Sequence, residues 1–485
     1  MGGDTGGDTG AAVFAELDRL VPGGTPDAAV SGAPVLGVAV SGGGDSTALL
    51  IIAARWAVEH GRSIAAATVD HGLRAESAAE AAGVAALCAR LGIPHRTLRA
   101  GSLRDAGGNL PAAAREARFS LLGDWARAQG LAAVLLGHTM DDQAETVLMR
   151  LARGSGAEGL SAMQAGLRRS GMLWLRPLLG VRREALRAVL RAAGVGWVED
   201  PTNEDTKYDR VKARRALVAL APLGIDAEGL ARTAWHLQRQ RRVLERAMGD
   251  LARRARRWGA LGEVRLDLAA MTQDEPDTAL RLLADSLMRV SGALYRPRFR
   301  ALWEVLDRIL SGQGAATTLS GCLIRPEGGP NAETALICRE PGACEAMRPL
   351  AAGATVWDRR WRVTAAGAWP ASARLGALGE PGLAALRACA STGAWTAPST
   401  WASAPRAVRR TTPAIWRGPG LDSGPDSRPD SGPESPVLLA APLAGYLDRR
   451  EIGPELTVSA ENTGAGELPS PALPTYGPAD PRDPP

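Results

Sequence analysis

The sequence predicts an α/β fold, a doubly wound parallel sheet, followed by a helical domain and a small α+β domain. Between residues 33 and 222, short continuous apolar runs alternate with segments of helical pattern, as in a parallel sheet covered on both faces. From 223 to 312 the apolar residues recur with helical periodicity. In residues 313–450, short strand-like runs stand between Gly and Pro turns, which is typical of a small α+β domain.

Composition bounds the class of protein. The chain has 485 residues, 45% of them hydrophobic and 22% charged, which fits two or three globular domains. No apolar run approaches the roughly 20 residues of a membrane span, and the first residues lack the basic and apolar regions of a secretory signal. The 5 cysteines are scattered without a C-x-x-C pair. We therefore expect a cytoplasmic protein with no membrane partner and no structural zinc.

Three segments have a composition that cannot bury a core. Residues 1–32 begin with a Gly-Gly-Asp-Thr repeat, and we expect a disordered N-terminal tail. Residues 418–435 contain a near-perfect Asp-Ser-Gly-Pro repeat, which predicts a disordered insertion into a loop of the α+β domain. Residues 451–485 are rich in Pro and acidic side chains, and we expect a disordered acidic tail.

The strongest motif is a glycine-rich turn between a predicted strand, residues 35–40, and a predicted helix, residues 46–60. Glycine lets backbone N–H groups turn toward an anion without steric clash. The helix N-terminus adds unpaired donors and the positive end of the helix dipole. The expected ligand is a phosphate group, held by Ser41, Gly42, Gly43, Gly44, Asp45 and Ser46.

Two common phosphate-binding loops are excluded at this turn. A Walker A loop needs a lysine beside its last glycine, but the two lysines of the chain are Lys207 and Lys212. A dinucleotide-binding fingerprint needs glycine at position 47, which is Thr47. The remaining pattern, Ser-Gly-Gly-x-Asp-Ser, resembles the PP-loop of the ATP pyrophosphatases. That resemblance implies a PP-loop domain over residues 33–222, with ATP split between its α and β phosphates.

Three polar loops follow strands of the predicted sheet, at residues 41–46, 70–74 and 138–145. The carboxyl ends of parallel strands meet at one edge, where such sheets bind ligands. Carboxylate oxygens are the ligands that Mg²⁺ prefers, and the candidates are Asp45, Asp141, Asp142 and Glu145. Alternatively, Asp141 and Asp142 only cap the helix that starts there.

The same loops carry two histidines, and a helix carries two arginines, that we place near the nucleotide. His71 and His138 are predicted to bind ATP, although His138 could equally be a structural loop residue. Arg115 and Arg118, on a predicted helix over 109–128, reach either phosphate or solvent.

Arginine clusters predict contact with RNA. From 207 to 215 there are five basic residues, and from 232 to 257 there are 9 Arg against 2 acidic residues, a net of +7. Because phosphate contacts dominate nucleic-acid affinity, we interpret 223–312 as a helical tRNA-binding domain. The alternative is a solvated face of an Arg-rich protein. The residues predicted to contact RNA are Arg210, Lys212, Arg214, Arg239 and Arg242.

Seven motifs in a fixed order resemble the tRNA(Ile)-lysidine synthetases. The resemblance is continuous over about residues 35–215 and departs at Val211, where the family often has Asn. The motifs lie at residues 41–46, 69–74, 114–119, 137–146, 153–156, 176–179 and 199–203.

This resemblance implies a two-step ligation. ATP and Mg²⁺ are the cofactors, and ATP adenylates the C2 oxygen of the wobble cytidine in tRNA(Ile) with anticodon CAU. Free L-lysine then displaces AMP and leaves lysidine. By motif, the residues that bind lysine or Mg²⁺ are Asp45, Asp142 and Glu145. Of these, Asp45 and Asp142 are the implied ligands of the metal. Arg115 is implied to hold substrate or phosphate. No protein partner is inferred, and a homodimer stays open.

Two other functions stay open at this point. The chain could be another PP-loop enzyme that modifies tRNA, or an RNA-binding remnant without catalysis. The presence of Asp45, Asp142 and Glu145 disfavours the remnant. Thiolation enzymes usually bring cysteine pairs, and Cys88 stands alone on an apolar helix face.

Overall fold

The computed structural model divides the chain into two compact units, the first ending at Arg242 and the second beginning at Val243. The predicted catalytic domain ended at 222, so the first unit also takes in the start of the long basic helix. The structure describes residues 5–21, 36–70, 72, 77–100, 110–169, 171–199, 207, 209–293, 295–312, 315–328, 332–350, 353–365, 369, 371–417, 437–441, 446–447 and 456–460. His71 lies outside this part of the chain.

The first unit contains the predicted α/β sheet, with strand order β3-β2-β1-β4-β6-β5. All neighbours pair in parallel except the edge strand β5, which the sequence analysis missed and which runs antiparallel to β6. Gly171, with φ of +75°, makes the turn between those two strands. The strands are β1 (Leu36–Ala39), β2 (Ile64–Asp70), β3 (His95–Arg99), β4 (Ala133–Leu136), β5 (Gly166–Arg169) and β6 (Met172–Leu175).

Helices cover both faces of this sheet, which confirms the doubly wound prediction. One core packs Leu49 and Leu190, from two helices, against Leu36 of β1. The other packs Phe119 and Leu122 against the opposite face. The helices are α1 (Thr5–Leu20), α2 (Gly44–Glu59), α3 (Ser77–Arg90), α4 (Leu110–Ala128), α5 (Met140–Leu151), α6 (Ala157–Leu160), α7 (Arg183–Ala192), α8 (Asp209–Leu220) and α9 (Ala227–Ala255), which crosses from the first unit into the second.

Helix α1 corrects the expectation of a disordered tail over 1–32. Val13 and Leu17 are fully buried in the core of the first unit. Asp18 accepts a hydrogen bond from Trp56 Nε1 at 2.7 Å and lies 3.0 Å from His60 Nε2. Because the chain begins with a low-complexity repeat, the short apolar face that follows it with helical spacing was overlooked. That face packs the helix into the core of the first unit.

The second unit begins with a sheet that corrects the predicted boundary at 312. Its strand order is β7-β8-β11-β10-β9, so residues on both sides of 312 share one sheet. Leu283 and Leu302, from two helices, share a core with Ile324 and Ile337 of the strands. The elements are α10 (Leu268–Thr272), α11 (Pro276–Ser291), α12 (Phe299–Leu310), β7 (Arg256–Trp258), β8 (Val264–Asp267), β9 (Thr317–Leu319), β10 (Cys322–Glu327) and β11 (Thr334–Arg339).

Two further small sheets complete the described part of the second unit. Their orders are β12-β15-β16-β17-β18 and β13-β14-β19. The elements are β12 (Arg348–Pro349), β13 (Gly353–Trp357), β14 (Trp361–Ala365), β15 (Ala373–Ala377), α13 (Gly379–Ser391), α14 (Ser399–Ser403), α15 (Arg406–Arg409), β16 (Pro413–Arg417), β17 (Val437–Ala441), β18 (Tyr446–Leu447) and β19 (Leu456–Ala460).

These strands test two sequence expectations. The insertion predicted at 418–435 lies outside the described residues, but the strands that flank it, β16 and β17, pair directly with each other. The tail predicted as disordered from 451 is wrong for 456–460, because β19 pairs with β14 over five residue pairs. In the described part of the chain, no helix has the length and apolar character to cross a membrane.

Candidate active site

The predicted phosphate loop forms a closed turn at the carboxyl end of β1. Gly42 has φ of +86°, a conformation that favours glycine. Ser46 Oγ accepts the N–H of Ser41 at 3.1 Å and donates to the carbonyl of Gly43 at 3.0 Å. Gly43 is the N-cap of α2 and has no side chain to satisfy the first turn. The N–H groups of that turn are therefore available to an anion.

Two neighbouring segments fix the position of this loop. A Cβ atom on Gly137, directly after β4, would lie 3.0 Å from the backbone N and Cα of Ser46, so a larger residue there would require the loop to shift. On another side, the N–H of Val198 donates to the carbonyl of Gly42 at 3.0 Å. The ring of Trp197 lies against Gly44. These contacts within the protein hold the loop in position without a bound ligand.

Three of the predicted carboxylates converge on Arg183, the first residue of α7. Arg183 Nε lies 3.0 Å from Asp45 Oδ2, its Nη2 lies 3.5 Å from Asp142 Oδ1, and its Nη1 lies 3.7 Å from Glu145 Oε1. The three acidic neighbours raise the pKa of Arg183 despite burial. The three acids lie together as the sequence predicts, but Arg183 was not among the predicted site residues.

The structure separates the roles of the two adjacent aspartates. Asp142 Oδ2 accepts the N–H of Thr139 at 2.8 Å, so one oxygen caps α5 while the other faces Arg183. Asp141 Oδ2 accepts the backbone N–H of Arg183 at 2.7 Å. Asp141 therefore caps α7 and positions Arg183, a role that neither sequence alternative included.

Burial tunes two of the carboxyl groups. It raises the pKa of Asp45, against the opposing effect of Arg183. It also raises the pKa of Glu145, which has no exposed surface, although Arg214 Nε donates to Oε1 at 2.5 Å. Within the described residues, Glu145 Oε2 is buried without a hydrogen-bond partner. This oxygen is available to accept a bond from a ligand.

Four arginines surround His138 and form a second, oppositely charged group. Burial and repulsion by neighbouring arginines lower the pKa of Arg118 and of Arg176 to about 10. Burial, with the four arginines Arg176, Arg118, Arg210 and Arg115, holds the pKa of His138 well below its usual range, so this ring is neutral at pH 7. Like charges held this closely favour an anionic ligand.

Two residues predicted to contact RNA lie beside the carboxylates, and their contact with RNA stays a prediction. Arg210 Nη1 is 3.5 Å from Asp142 Oδ1, and Arg214 Nε bonds Glu145. Both project from α8, whose spacing places them on one face. Val211, where the family often has Asn, is buried.

The other predicted RNA contacts are accessible. Lys212 is exposed and lies 3.3 Å from Asp209. On α9, the exposed Arg239 stacks over the Trp235 ring at 4.9 Å, and Arg242 is half-buried. Their role with RNA stays a prediction.

Carboxylate oxygens, the ligand type that Mg²⁺ prefers, lie beside the phosphate loop. Among the described residues, no three His, Cys, Asp or Glu side chains form a group that could hold a metal. Mg²⁺ bound with a nucleotide needs only one or two carboxylates, since phosphates and water complete its shell. Asp45 belongs to the phosphate loop, and Asp142 contacts the same Arg183 guanidinium as Asp45. These two carboxylates are therefore the candidate ligands of the ion.

Comparisons with known proteins agree with this geometry. A family model for the PP-loop domain matches residues 20–221. The tRNA(Ile)-lysidine synthase of Ruegeria pomeroyi is 42% identical over 390 residues, which is 80% of this chain and 88% of the relative. That of Bradyrhizobium diazoefficiens is 50% identical over 220 residues, 45% of this chain and 61% of the relative. That of Hyphomonas neptunium is 38% identical over 315 residues, 61% and 82% respectively.

These matches cover the parts of the chain that form the site. The PP-loop match spans the phosphate loop, the carboxylates and the arginine group. The Ruegeria match covers most of that relative's length at an identity far above chance. This chain is a member of the tRNA(Ile)-lysidine synthase family.

Proposed function

We propose that this chain carries out the reaction for which its family is named, the ATP-dependent attachment of free lysine to the wobble cytidine of tRNA(Ile). The observation that carries the proposal is the phosphate loop beside Asp45, Asp142 and Glu145, all of which contact Arg183. ATP splitting at the α phosphate needs a cradle for pyrophosphate, and the first turn of α2 supplies N–H donors for it.

The arginine group supplies the positive charge that adenylation needs. Negative charge develops on the α phosphate as the cytidine oxygen attacks, and fixed cations stabilise it best in a site with little water. Arg118 and Arg176 are candidates because both are held close to other arginines. His138 stays neutral there and can orient the nucleotide by a hydrogen bond. Arg115 contributes from the same helix as Arg118.

Asp45 and Asp142 would hold Mg²⁺ when it is bound, and the ion would neutralise charge on the phosphates of ATP. Arg183 now balances the same oxygens at 3.0 and 3.5 Å. It therefore holds the two carboxylates together before the nucleotide arrives.

Glu145 is the candidate base for the lysine step. The amine must lose a proton as it attacks C2, and a carboxylate with a raised pKa is suited to accept one. Glu145 has such a pKa, and its Oε2 has no partner within the described residues. Arg214, which bonds Glu145, and Arg210, which lies beside Asp142, are the candidates to bind the carboxylate of lysine.

The products test this function. Incubation with tRNA(Ile), lysine and ATP should give AMP and pyrophosphate by chromatography. The modified cytidine should gain the mass of lysine less one water. Production of ADP would rule out the PP-loop chemistry. AMP formation with a different nucleoside product would instead favour another PP-loop enzyme that modifies tRNA.

The basic face of α9 is proposed to bind tRNA phosphates. Changing Arg239, Arg241, Arg242 and Arg246 together to Gln should weaken tRNA binding and flatten its salt dependence by about 0.7 to 0.9 in slope per lost contact. ATP binding should stay unchanged. The matched control is Arg127→Gln on α4, an exposed arginine paired with Asp124 at 2.6 Å. If affinity and slope both equal those of the control, this helix does not carry the RNA.

A further inference from the structure

Exposed aromatic side chains are concentrated in one short segment of the second unit. In the described part of the chain, the exposed Phe, Tyr and Trp residues are Tyr295 at 72%, Phe299 at 64% and Trp303 at 44%. Aromatic residues make up only 4% of the sequence. The segment 295–303, here named the aromatic–arginine patch, is therefore a local departure from a surface that otherwise buries its aromatic rings.

Helix α12 explains why these rings face outward. Its other face packs Leu302, Leu306 and Ile309 into the core of the second unit. Phe299 and Trp303 are one turn apart on the opposite face. Their ring centroids are 6.1 Å apart and their planes differ by 20°. Two nearly parallel exposed rings form a platform on which a flat group can stack.

The charges around this platform select its partner. Arg298 and Arg300 are exposed, the side chain of Arg300 to 92%, and from 293 to 306 three arginines stand against one acid, Glu304, whose Oε1 lies 2.9 Å from Arg300 Nε. Arginine supplies phosphate contacts, and aromatic faces stack on unpaired bases. A second copy of this chain would bring the same positive charges to a two-fold interface. The charge pattern therefore favours RNA over self-association.

We propose that the aromatic–arginine patch binds unpaired nucleotides of the tRNA substrate, with bases stacked on Phe299 and Trp303 and phosphates contacted by Arg298 and Arg300. This inference rests on the proposed function for the identity of the RNA. It adds a second surface for contact with tRNA, independent of the basic face of α9. Because only unpaired bases can stack on the rings, this surface would be specific for single-stranded parts of the tRNA.

Equilibrium binding of tRNA(Ile) at several salt concentrations tests the patch. The double variant Phe299→Ala, Trp303→Ala should bind at least about tenfold more weakly, with an unchanged salt slope, because stacking is lost but no phosphate contact. Arg298→Gln with Arg300→Gln should lower the slope by about 0.7 per lost contact. Phe299→Tyr with Trp303→Phe should restore affinity. Val58→Ala, an exposed apolar residue of the first unit, is the control.

Other outcomes overturn the inference. Wild-type affinity in Phe299→Ala, Trp303→Ala would show that RNA does not stack there. Sedimentation that finds a wild-type dimer, dissociated by the same variant, would assign the patch to a second copy. A failure of the proposed function gives a different result. If the wild-type protein forms no AMP with tRNA and lysine, that function is refuted. If the wild-type protein turns over normally and the variants bind tRNA as tightly as it does, only the proposal for the patch is refuted.

Discussion

Replacing Arg183 with methionine is expected to abolish formation of AMP and to destabilise the first unit. The guanidinium lies between Asp45, Asp142 and Glu145, at 3.0, 3.5 and 3.7 Å. Without it these carboxylates face one another in a largely buried site. Removing one partner of a buried ion pair typically costs about 3–5 kcal/mol because charge is left uncompensated. Because the carboxylates would no longer be held in place beside the phosphate loop, we also expect a loss in turnover of at least about a hundredfold.

Two matched substitutions make this result specific. Arg187→Met removes an arginine one turn further along α7, where it pairs with the exposed Glu199 at 3.0 Å, and should leave turnover nearly unchanged. Arg183→Lys keeps the charge but loses the planar fork that reaches three acids, so it should recover only part of the activity. Turnover in Arg183→Met equal to that of Arg187→Met would remove Arg183 from the site. Thermal unfolding of each variant separates loss of fold from loss of chemistry.

The carboxylates of the site could be predicted from the sequence, whereas the arginine that contacts them, Arg183, could not. The glycine-rich turn marks Asp45, and the spacing of Asp142 and Glu145 places them on one helix face. Arg183 lies 138 positions from Asp45 along the chain. It has no local motif, and the chain is rich in arginine. Only the packing of α7 against α2, which brings Arg183 to Asp45, identifies it.

The errors in domain organisation have a similar physical origin. Strand β7 has 3 residues and β8 has 4, too few to show a period of two against the helices around them. Likewise, residues 317–324 have the sequence pattern of a single strand, but they belong to two, β9 and β10. Ser320 and Gly321, with φ of +53° and +69°, form the turn between them. Helix α1 buries its apolar face only against α2 and α7 of the folded unit, so composition alone suggested disorder.

Changing Asp45 to Asn is expected to reduce AMP formation by about 100- to 1000-fold while leaving the fold intact or more stable. Burial raises the pKa of Asp45, which means that the folded protein disfavours its ionised form. Asn keeps the shape without the charge. Arg183 loses its contact at 3.0 Å but retains Asp142 and Glu145.

The sign of the pH dependence distinguishes this explanation from simple damage. A carboxyl whose pKa is raised in the folded state destabilises that state at pH values above the folded pKa, and the penalty is relieved as pH falls through it. Any gain in melting temperature of Asp45→Asn over wild type should therefore be largest near neutral pH and shrink on acidification. Asp124→Asn, an exposed partner of Arg127, controls for loss of a surface charge. A variant less stable than wild type at neutral pH would show that the bond to Arg183 outweighs the burial of Asp45, and wild-type turnover would place Asp45 outside the reaction.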